Sequence, residues 1–167
     1  MRAPASWRLM QAEDLPAVVQ IAGQVHPDYP EDAAIFAERQ QLYPQGCWIR
    51  QHGSDIYGYL ISHPAQLGSP PELNSLLHAL PVSATTYYLH DIALLPAARG
   101  MHAANSILTQ LCSQAAQQGL DNLSLIAVNQ STDFWQRQHF QAANHLASAV
   151  KLKSYGQAAC YMVRSLS

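Results

Sequence analysis

The residues best suited to chemistry lie in one stretch of the chain, between Tyr88 and Ala104. It places a histidine, His90, inside a strongly apolar run, and a proline, an Arg99-Gly100 turn and an amphipathic segment follow it. A strand, a tight turn and a helix N-terminus in this order present backbone N–H groups to an anion such as a phosphate. The stretch therefore predicts an anion-binding turn, with a titratable base on the strand before it.

His90 is the candidate base. Histidine has an unperturbed pKa of about 6.5, so a neutral imidazole is available near pH 7 to accept a proton. Alternation along a strand predicts that Tyr88, His90 and Ile92 share one face of the sheet. Asp91 is then expected on the other face, in an ion pair or a helix cap, because an unpaired buried carboxylate is costly. The alternative for His90 is a core histidine that is hydrogen-bonded to a backbone carbonyl.

The pattern of the whole chain predicts one α/β (α+β) domain over residues 1–167, with a mixed central sheet and helices on both faces. The predicted strands are 7–10, 47–51, 55–62, 87–95, 123–128, 145–150 and 158–164. The predicted helices lie after Glu13, at 32–42, at 72–79, before a Gly119 cap and at 132–138. The segment from Pro64 to Ala84 is rich in proline and polar residues, and we expect it to shape the entrance to a binding site.

Composition excludes several classes of partner. Charged residues make up 12% of the chain, the net charge is −2, and no run of lysine or arginine occurs, so neither nucleic acid nor an anionic membrane is expected. The three scattered cysteines and the lack of a signal-like or membrane-spanning segment favour a reducing, cytoplasmic location. No histidine pair or Cys-x-x-Cys has metal-binding spacing, so no metal is expected. The lightly charged surface favours a homodimer.

The stretch around the turn resembles the GNAT superfamily of N-acetyltransferases. That superfamily has a phosphate loop of the form Arg/Gln-x-x-Gly-x-Gly/Ala, preceded by a hydrophobic-x-Pro. Leu94-Leu95-Pro96 matches the lead-in, and the run from Arg99 to Ala104 matches the loop, with His102 at the first glycine. The run from Phe134 to Phe140 resembles the family segment Phe-Tyr-x-Lys-x-Gly-Phe, with Trp135 where a general-acid tyrosine is often found.

This resemblance implies acetyl-CoA (coenzyme A) as the cofactor. The implied cofactor-binding residues are Ile92, Ala93, Leu94, Arg99, Gly100, Met101, His102, Ala103, Ala104, Asn129, Phe134 and Trp135. Asn129 has an alternative, which is to cap the next helix together with Ser131. Phe134 and Trp135 have the alternative of ordinary core packing.

The run Leu89-His90-Asp91-Ile92 also resembles the arylalkylamine N-acetyltransferases, which implies that His90 deprotonates an amine through water. A second histidine of that family falls on Tyr88 here, so the two residues are the catalytic candidates. With Trp135 in place of a tyrosine, the leaving thiolate could take its proton from Tyr155, Tyr161 or water. The implied substrate-binding residues are Tyr29 and His63.

The function implied by these resemblances is acetyl-CoA-dependent transfer of an acetyl group directly to a small primary amine. Two alternatives remain open at this stage. The fold could serve as an acyl-CoA-binding or sensing module without catalysis, since the loop glycine and the tyrosine are replaced. The chain could also be a protein N-acetyltransferase that acts on peptide N-termini or lysines.

Overall fold

The computed structural model describes residues 5–99 and 102–166. Its strands are β1 Ser6–Leu9, β2 Cys47–His52, β3 Asp55–Ala65, β4 Thr86–Leu94, β5 Asn122–Ala127, β6 Gln141–Ala142 and β7 Cys160–Ser165. Its helices are α1 Leu15–Val25, α2 Ala33–Leu42, α3 Ala103–Gln117, α4 Thr132–Arg137 and α5 Ala149–Lys153. The strands form one seven-stranded sheet in the order β1-β2-β3-β4-β5-β7-β6. The mixed sheet with its helices confirms the predicted α/β class.

Two apolar clusters cover the two faces of this sheet. Helices α1 and α2 bury one face, where the cluster includes Val18, Phe36, Tyr59, Ile61 and Ala93. Helices α3 and α4 bury the other face, where the cluster includes Leu89, Leu111, Leu125, Trp135 and Phe140. Neighbouring residues of one strand enter opposite clusters, as the alternation of a strand requires. Within the described ranges, every helix is too short or too polar to cross a membrane.

The sheet opens between its two central strands. β4 and β5 are the parallel pair, and they are joined only where Tyr87–Leu89 faces Leu123–Leu125. β4 continues to Leu94 and β5 to Ala127, with no further pairing between them in the described residues. The divergence leaves the backbone at this edge of β4 without a strand partner. Such backbone groups must find other partners, which makes the gap suitable for a ligand.

A β-bulge in β4 changes which residues share a face. Ile61 of β3 pairs with Asp91 and Ser62 pairs with Leu89, so His90 is the extra residue of the bulge. The expectation that Asp91 points away from Tyr88 is therefore wrong. Both side chains lie on the α1–α2 side of the sheet, because Asp91 contacts His26 and Tyr88 packs beside His63.

Two predicted elements are absent from the described structure. Residues 72–79 form turns and bends instead of a helix, because Asn74 and His78 have positive φ and donate their N–H groups to carboxylates. Residues 145–150 are not a strand. A 3-10 turn at Asn144–Leu146 and the start of α5 replace it, and β7 pairs with β6 instead.

Candidate active site

The gap between β4 and β5 forms a crevice of about 520 Å³. Five of the residues predicted to bind the cofactor line it, and they are Ile92, Arg99, Asn129, Phe134 and Trp135. His90 and Asp91 also line it, where β4 bulges. Trp135 is in addition part of the core, with edge-on ring contacts to Phe134 and Phe140. The strands therefore bring the predicted base and much of the predicted binding wall together.

A second hollow of about 370 Å³ lies at the N-terminus of α3. Its lining includes the predicted residues Leu94, Arg99, His102, Ala103, Ala104 and Phe134. Because Arg99 and Phe134 line both hollows, the crevice leads directly to this helix terminus. A helix N-terminus offers unpaired N–H groups and a positive dipole end to an anion.

The other predicted cofactor residues differ in position. His102 precedes α3 with a φ of 56°, a left-handed conformation that glycine adopts without cost and that explains the glycine of the family pattern. Ala93 lies in the core on the α1–α2 side and lines neither hollow. Gly100 and Met101 lie outside the described residues.

The β4 carbonyls at the crevice are held by side chains. The Leu94 carbonyl accepts a hydrogen bond from Arg99 Nε at 3.0 Å, and the Ile92 carbonyl lies 3.1 Å from His26 Nε2. Both carbonyls therefore point toward the open edge of β4. Amide groups of a ligand that runs along this strand would replace these two contacts.

His90 forms a buried pair with Glu31, the residue that precedes α2 by two positions. Nε2 of His90 lies 2.8 Å from Oε1 of Glu31, and their side chains are 1% and 5% exposed. A carboxylate only accepts hydrogen bonds, so Nε2 carries the proton. Nδ1 has no hydrogen-bond partner among the described residues, which leaves its lone pair available. The geometry is that of a general base whose ring is oriented by a carboxylate.

The surroundings of Glu31 keep it ionised. Burial opposes the charge, but the charge that His90 carries when its ring is protonated, its hydrogen bond and the N–H of Asn74, at 2.9 Å, lower the pKa of Glu31 below its ordinary value. Asp91, the neighbour of His90, makes a separate pair: its Oδ1 lies 3.0 Å from His26 Nε2, and its Oδ2 accepts a hydrogen bond from Tyr59. The ion pair expected for Asp91 is confirmed.

His26 ends α1 and completes this second pair. Burial disfavours its charged form, but the hydrogen bond and charge of Asp91 outweigh burial and raise the pKa of His26 above its ordinary value. Asn129 Nδ2 lies 3.1 Å from His26 Nδ1. Within the described structure Ser131 makes no side-chain cap to α4, so the alternative of a shared cap is wrong.

A small cavity of about 40 Å³ adjoins the crevice at His90. Tyr29, Glu31, Leu73 and Tyr155 are among its walls, and it shares His26, His90, Asp91, Ile126 and Val128 with the crevice. His90 therefore lines both a large hollow and a small one. Of the two predicted substrate residues, Tyr29 lies here and His63 does not.

The segment between β3 and β4 closes this small cavity. On one side, Glu31 accepts the Asn74 N–H, and Glu38 of α2 accepts the N–H groups of Leu77 and His78 at 2.7 and 2.9 Å. On the other side, Ser154 Oγ accepts the Leu73 N–H at 2.9 Å, and Tyr155 donates to the Pro71 carbonyl at 3.0 Å. The prediction that this segment shapes an entrance agrees with its position across the cavity.

The rings of Tyr88 and His63 lie next to the ring of His90. The ring centres of Tyr88 and His90 are 6.1 Å apart, and those of His63 and His90 are 6.5 Å apart. Tyr88 is fully buried, which raises its pKa well above the ordinary value, and it lines neither the crevice nor the small cavity. Tyr88 is therefore in contact distance of the base and away from the open space.

The candidate proton donors for the leaving thiolate differ in their position and in their chemistry. Trp135 cannot act as an acid in this pH range. Tyr155 lines the small cavity, whereas the Tyr161 hydroxyl accepts the N–H of Gly68 at 2.9 Å. The thiol of Cys47 is no nucleophile, since burial raises its pKa to about 12.

Sequence reasoning missed Glu31 and the role of His26. Glu31 lies 59 residues from His90 in the chain, and no local pattern marks it. His26 was readable as the end of a helix before Pro27, but only the folded sheet brings it to Asp91. The partners of each pair lie far apart in the sequence, which explains why residue spacing alone could not identify either pair.

Comparisons with known proteins agree with this geometry. The acetyltransferase (GNAT) family model matches residues 8–140. No curated protein sequence matches the chain significantly. The loading GNATL domain of CurA from Lyngbya majuscula is similar, with a TM-score of 0.79, 12% identity and coverage of 98% of both chains.

Two further solved structures share the fold. GphF, a GNAT-like decarboxylase in complex with isobutyryl-CoA, has a TM-score of 0.75 and 13% identity, covering 97% of this chain and 100% of its own. Naa50 from Arabidopsis thaliana, in complex with the bisubstrate analogue CoA-Ac-MVNAL, has a TM-score of 0.70 and 12% identity over 95% and 96%. The family match over most of the chain, and a sheet that opens between its central strands, show that this chain belongs to the acetyltransferase (GNAT) family.

Proposed function

We propose that this acyltransferase-family chain is an acetyl-CoA-dependent N-acetyltransferase that moves an acetyl group directly to a small primary amine. The observation that carries the proposal is the state of His90. Its Nε2–H is held by Glu31, its Nδ1 has no partner among the described residues, and His90 lines both the large and the small hollow. A ring in this state is ready to take a proton from an amine.

The crevice and the hollow at the N-terminus of α3, about 520 and 370 Å³, adjoin each other, as a long ligand such as coenzyme A requires. We propose that the β4 backbone at Ile92, Ala93 and Leu94 binds amide groups along the strand, and that the first turn of α3 binds the diphosphate. Gly100 and Met101, by resemblance, belong to the same turn. The remaining proposed contacts are Arg99, His102, Ala103, Ala104, Asn129, Phe134 and Trp135. When bound, acetyl-CoA supplies an acyl group activated as a thioester.

His90 would remove the proton that keeps an amine from attacking the thioester. The ammonium form has no lone pair, so deprotonation must precede transfer. Glu31 fixes the ring through Nε2 and favours the imidazolium that results. We propose that Tyr88 acts as a positioning residue, since its ring packs against that of His90 and does not reach open space.

The small cavity supports a small acceptor. A volume of about 40 Å³ between Tyr29, Leu73 and Tyr155 favours a short amine over a peptide chain. The hydrogen bonds that hold residues 71–78 across this cavity weigh against a protein substrate in the same way. Tyr155, which lines the small cavity, is the proposed tyrosine donor to the leaving thiolate, and it would have to release the Pro71 carbonyl to donate; water is the other source of that proton.

The test is product analysis by mass spectrometry with acetyl-CoA and a panel of primary amines, including ethanolamine and phenethylamine. His90→Ala is expected to lower kcat about 100-fold or more, the usual worth of a general base, while the Kd for acetyl-CoA stays within about twofold. His145→Ala, at an exposed histidine, is the matched control and should leave kcat unchanged. Full turnover by the His90 variant would overturn the assignment.

A second candidate is an acyl-CoA-binding module without catalysis. The specific observation in its favour is that Trp135 replaces the usual acid, beside an acceptor cavity of only about 40 Å³. Binding of acetyl-CoA with no product from any amine of the panel would support this candidate. We also propose a cytoplasmic location, consistent with three unbridged cysteines in the described structure, and a homodimer remains a prediction.

A further inference from the structure

A second large cavity lies between the end of β3, the segment 66–84 and α5. Its volume is about 520 Å³, the same as that of the crevice, and none of its lining residues lines the crevice. This volume is in the range of small-molecule sites. The proposed acetyltransfer reaction does not use it, so its purpose needs a separate explanation.

The floor of this cavity is His63, which is 2% exposed. Its Nδ1 lies 2.9 Å from the Pro64 carbonyl, which only accepts, so Nδ1 carries the proton. Nε2 then presents a lone pair, and it has no hydrogen-bond partner among the described residues. Burial, with help from the nearby charges of His90 and Arg39, lowers the pKa of His63 to about 3, so the ring is neutral. A buried acceptor without a partner is costly, and the cavity that His63 lines is a space from which a donor could approach it.

The rest of the wall favours an uncharged, apolar molecule. Pro71, Leu77, Leu80 and Pro81 line the cavity, together with one acidic and one basic residue, Glu72 and Lys151, whose charges cancel. Lys151 is engaged, since its Nζ donates to Ser69 Oγ at 2.6 Å. No net charge in the wall therefore selects an ion of either sign.

Exposed apolar side chains occur on the segments that border the cavity. Among the described residues six large apolar side chains are exposed, and four of them lie in the segment 66–84 or in α5. They are Leu67, Leu76, Val82 and Val150, and Leu76 lines the cavity itself. Apolar side chains exposed beside a concave site are a feature of binding surfaces.

We propose that this cavity is a second ligand site, for an uncharged and mostly apolar molecule that donates one N–H or O–H hydrogen bond to Nε2 of His63. The site is separate from the proposed acetyltransfer site, because none of its lining residues lines the crevice or the small cavity. The proposal goes beyond the proposed function and does not depend on it.

Indole and 1-methylindole form a matched pair of probes, alike in size and apolar surface, of which only indole has an N–H donor. In ¹H–¹⁵N NMR titrations of the full chain, indole is expected to shift the amides of Leu77, Ala79 and Lys151. Its Kd should be about fivefold lower than that of 1-methylindole, the net worth of one hydrogen bond.

Two variants complete the test. His63→Leu should remove the difference between the probes, and Ala79→Trp, at an exposed position in the cavity wall, should block both. Equal affinity of the two probes for the wild-type chain, no binding of indole, or indole shifts confined to crevice residues such as Ile126 would each overturn the proposal. Acetyl-CoA added to the same samples reports on the crevice, so failure of the proposed function appears separately.

Discussion

Replacing Glu31 with glutamine tests how the proposed base works. The bond from His90 Nε2 to Glu31 is 2.8 Å long, and the two side chains are 1% and 5% exposed, so water screens the pair little. A hydrogen bond between charged groups is worth about 1.5–3 kcal/mol. At about 1.4 kcal/mol per factor of ten, removing the charge should lower kcat about 10- to 150-fold. Glutamine keeps the size of the side chain, but its single oxygen can accept the N–H of Asn74 or the Nε2–H of His90 and not both.

The assay follows free thiol released from acetyl-CoA at saturating amine, with kcat and KM measured separately. The KM for acetyl-CoA should stay within about twofold, because Glu31 lies on the small cavity and not on the crevice. Glu38→Gln is the control, since Glu38 holds the same segment through Leu77 and His78 but does not contact His90. A Glu31→Gln kcat within twofold of wild type, or an equal loss in both variants, would refute this reasoning.

Three other predictions follow from single residues. The folded pKa of His63, about 3, lies below its unfolded value, so the free energy of unfolding is highest above about pH 6.5 and falls on acidification. In urea unfolding, the wild-type chain should lose about 2 kcal/mol between pH 7 and pH 5 that the His63→Leu variant does not lose. Equal losses in the two proteins would contradict this prediction. Leu73→Ala should raise kcat/KM for phenethylamine over ethanolamine about tenfold, while the control Leu76→Ala leaves this ratio unchanged. His102→Gly removes a Cβ from the loop, so that its backbone can approach a diphosphate more closely, and should lower the Kd for acetyl-CoA about fivefold by calorimetry. A weaker affinity would mean that the imidazole itself holds the phosphate.

The strand, turn and helix between Tyr88 and Ala104 could be predicted because their signals are local. Apolar alternation, the proline and the helical spacing after the turn each act within a few residues. The family resemblance rested on the same stretch, and the match over residues 8–140 confirms it. Local signals were therefore sufficient for the fold class and for the position of the crevice.

The bulge at His90 could not be predicted, because it depends on the register between β4 and β3. Regular alternation placed Asp91 on the wrong face for this reason. The same holds for Glu31, whose partner is 59 residues away. A single sequence gives no sign that two such distant positions are in contact, so the pairing of Glu31 with His90 is visible only in the folded chain.

The helix expected at 72–79 fails for a related reason. Its composition allows a helix, but Glu31 and Glu38 draw the N–H groups of Asn74, Leu77 and His78 outward from the segment. Tertiary hydrogen bonds outweigh a weak local propensity, as they often do in loops over binding sites. Leu73 of this segment lines the small cavity beside His90 as a consequence.

The central claim is that acetyl-CoA binds in the crevice between β4 and β5, and an NMR titration of the wild-type chain with acetyl-CoA tests it most directly. The account predicts saturable shifts of the amides of Ile92, Leu94, Val128 and Ala103, with a Kd in the micromolar range, about 1–1000 μM. No shifts at 1 mM ligand, roughly the top of that range, or shifts that leave these four amides in place would contradict it.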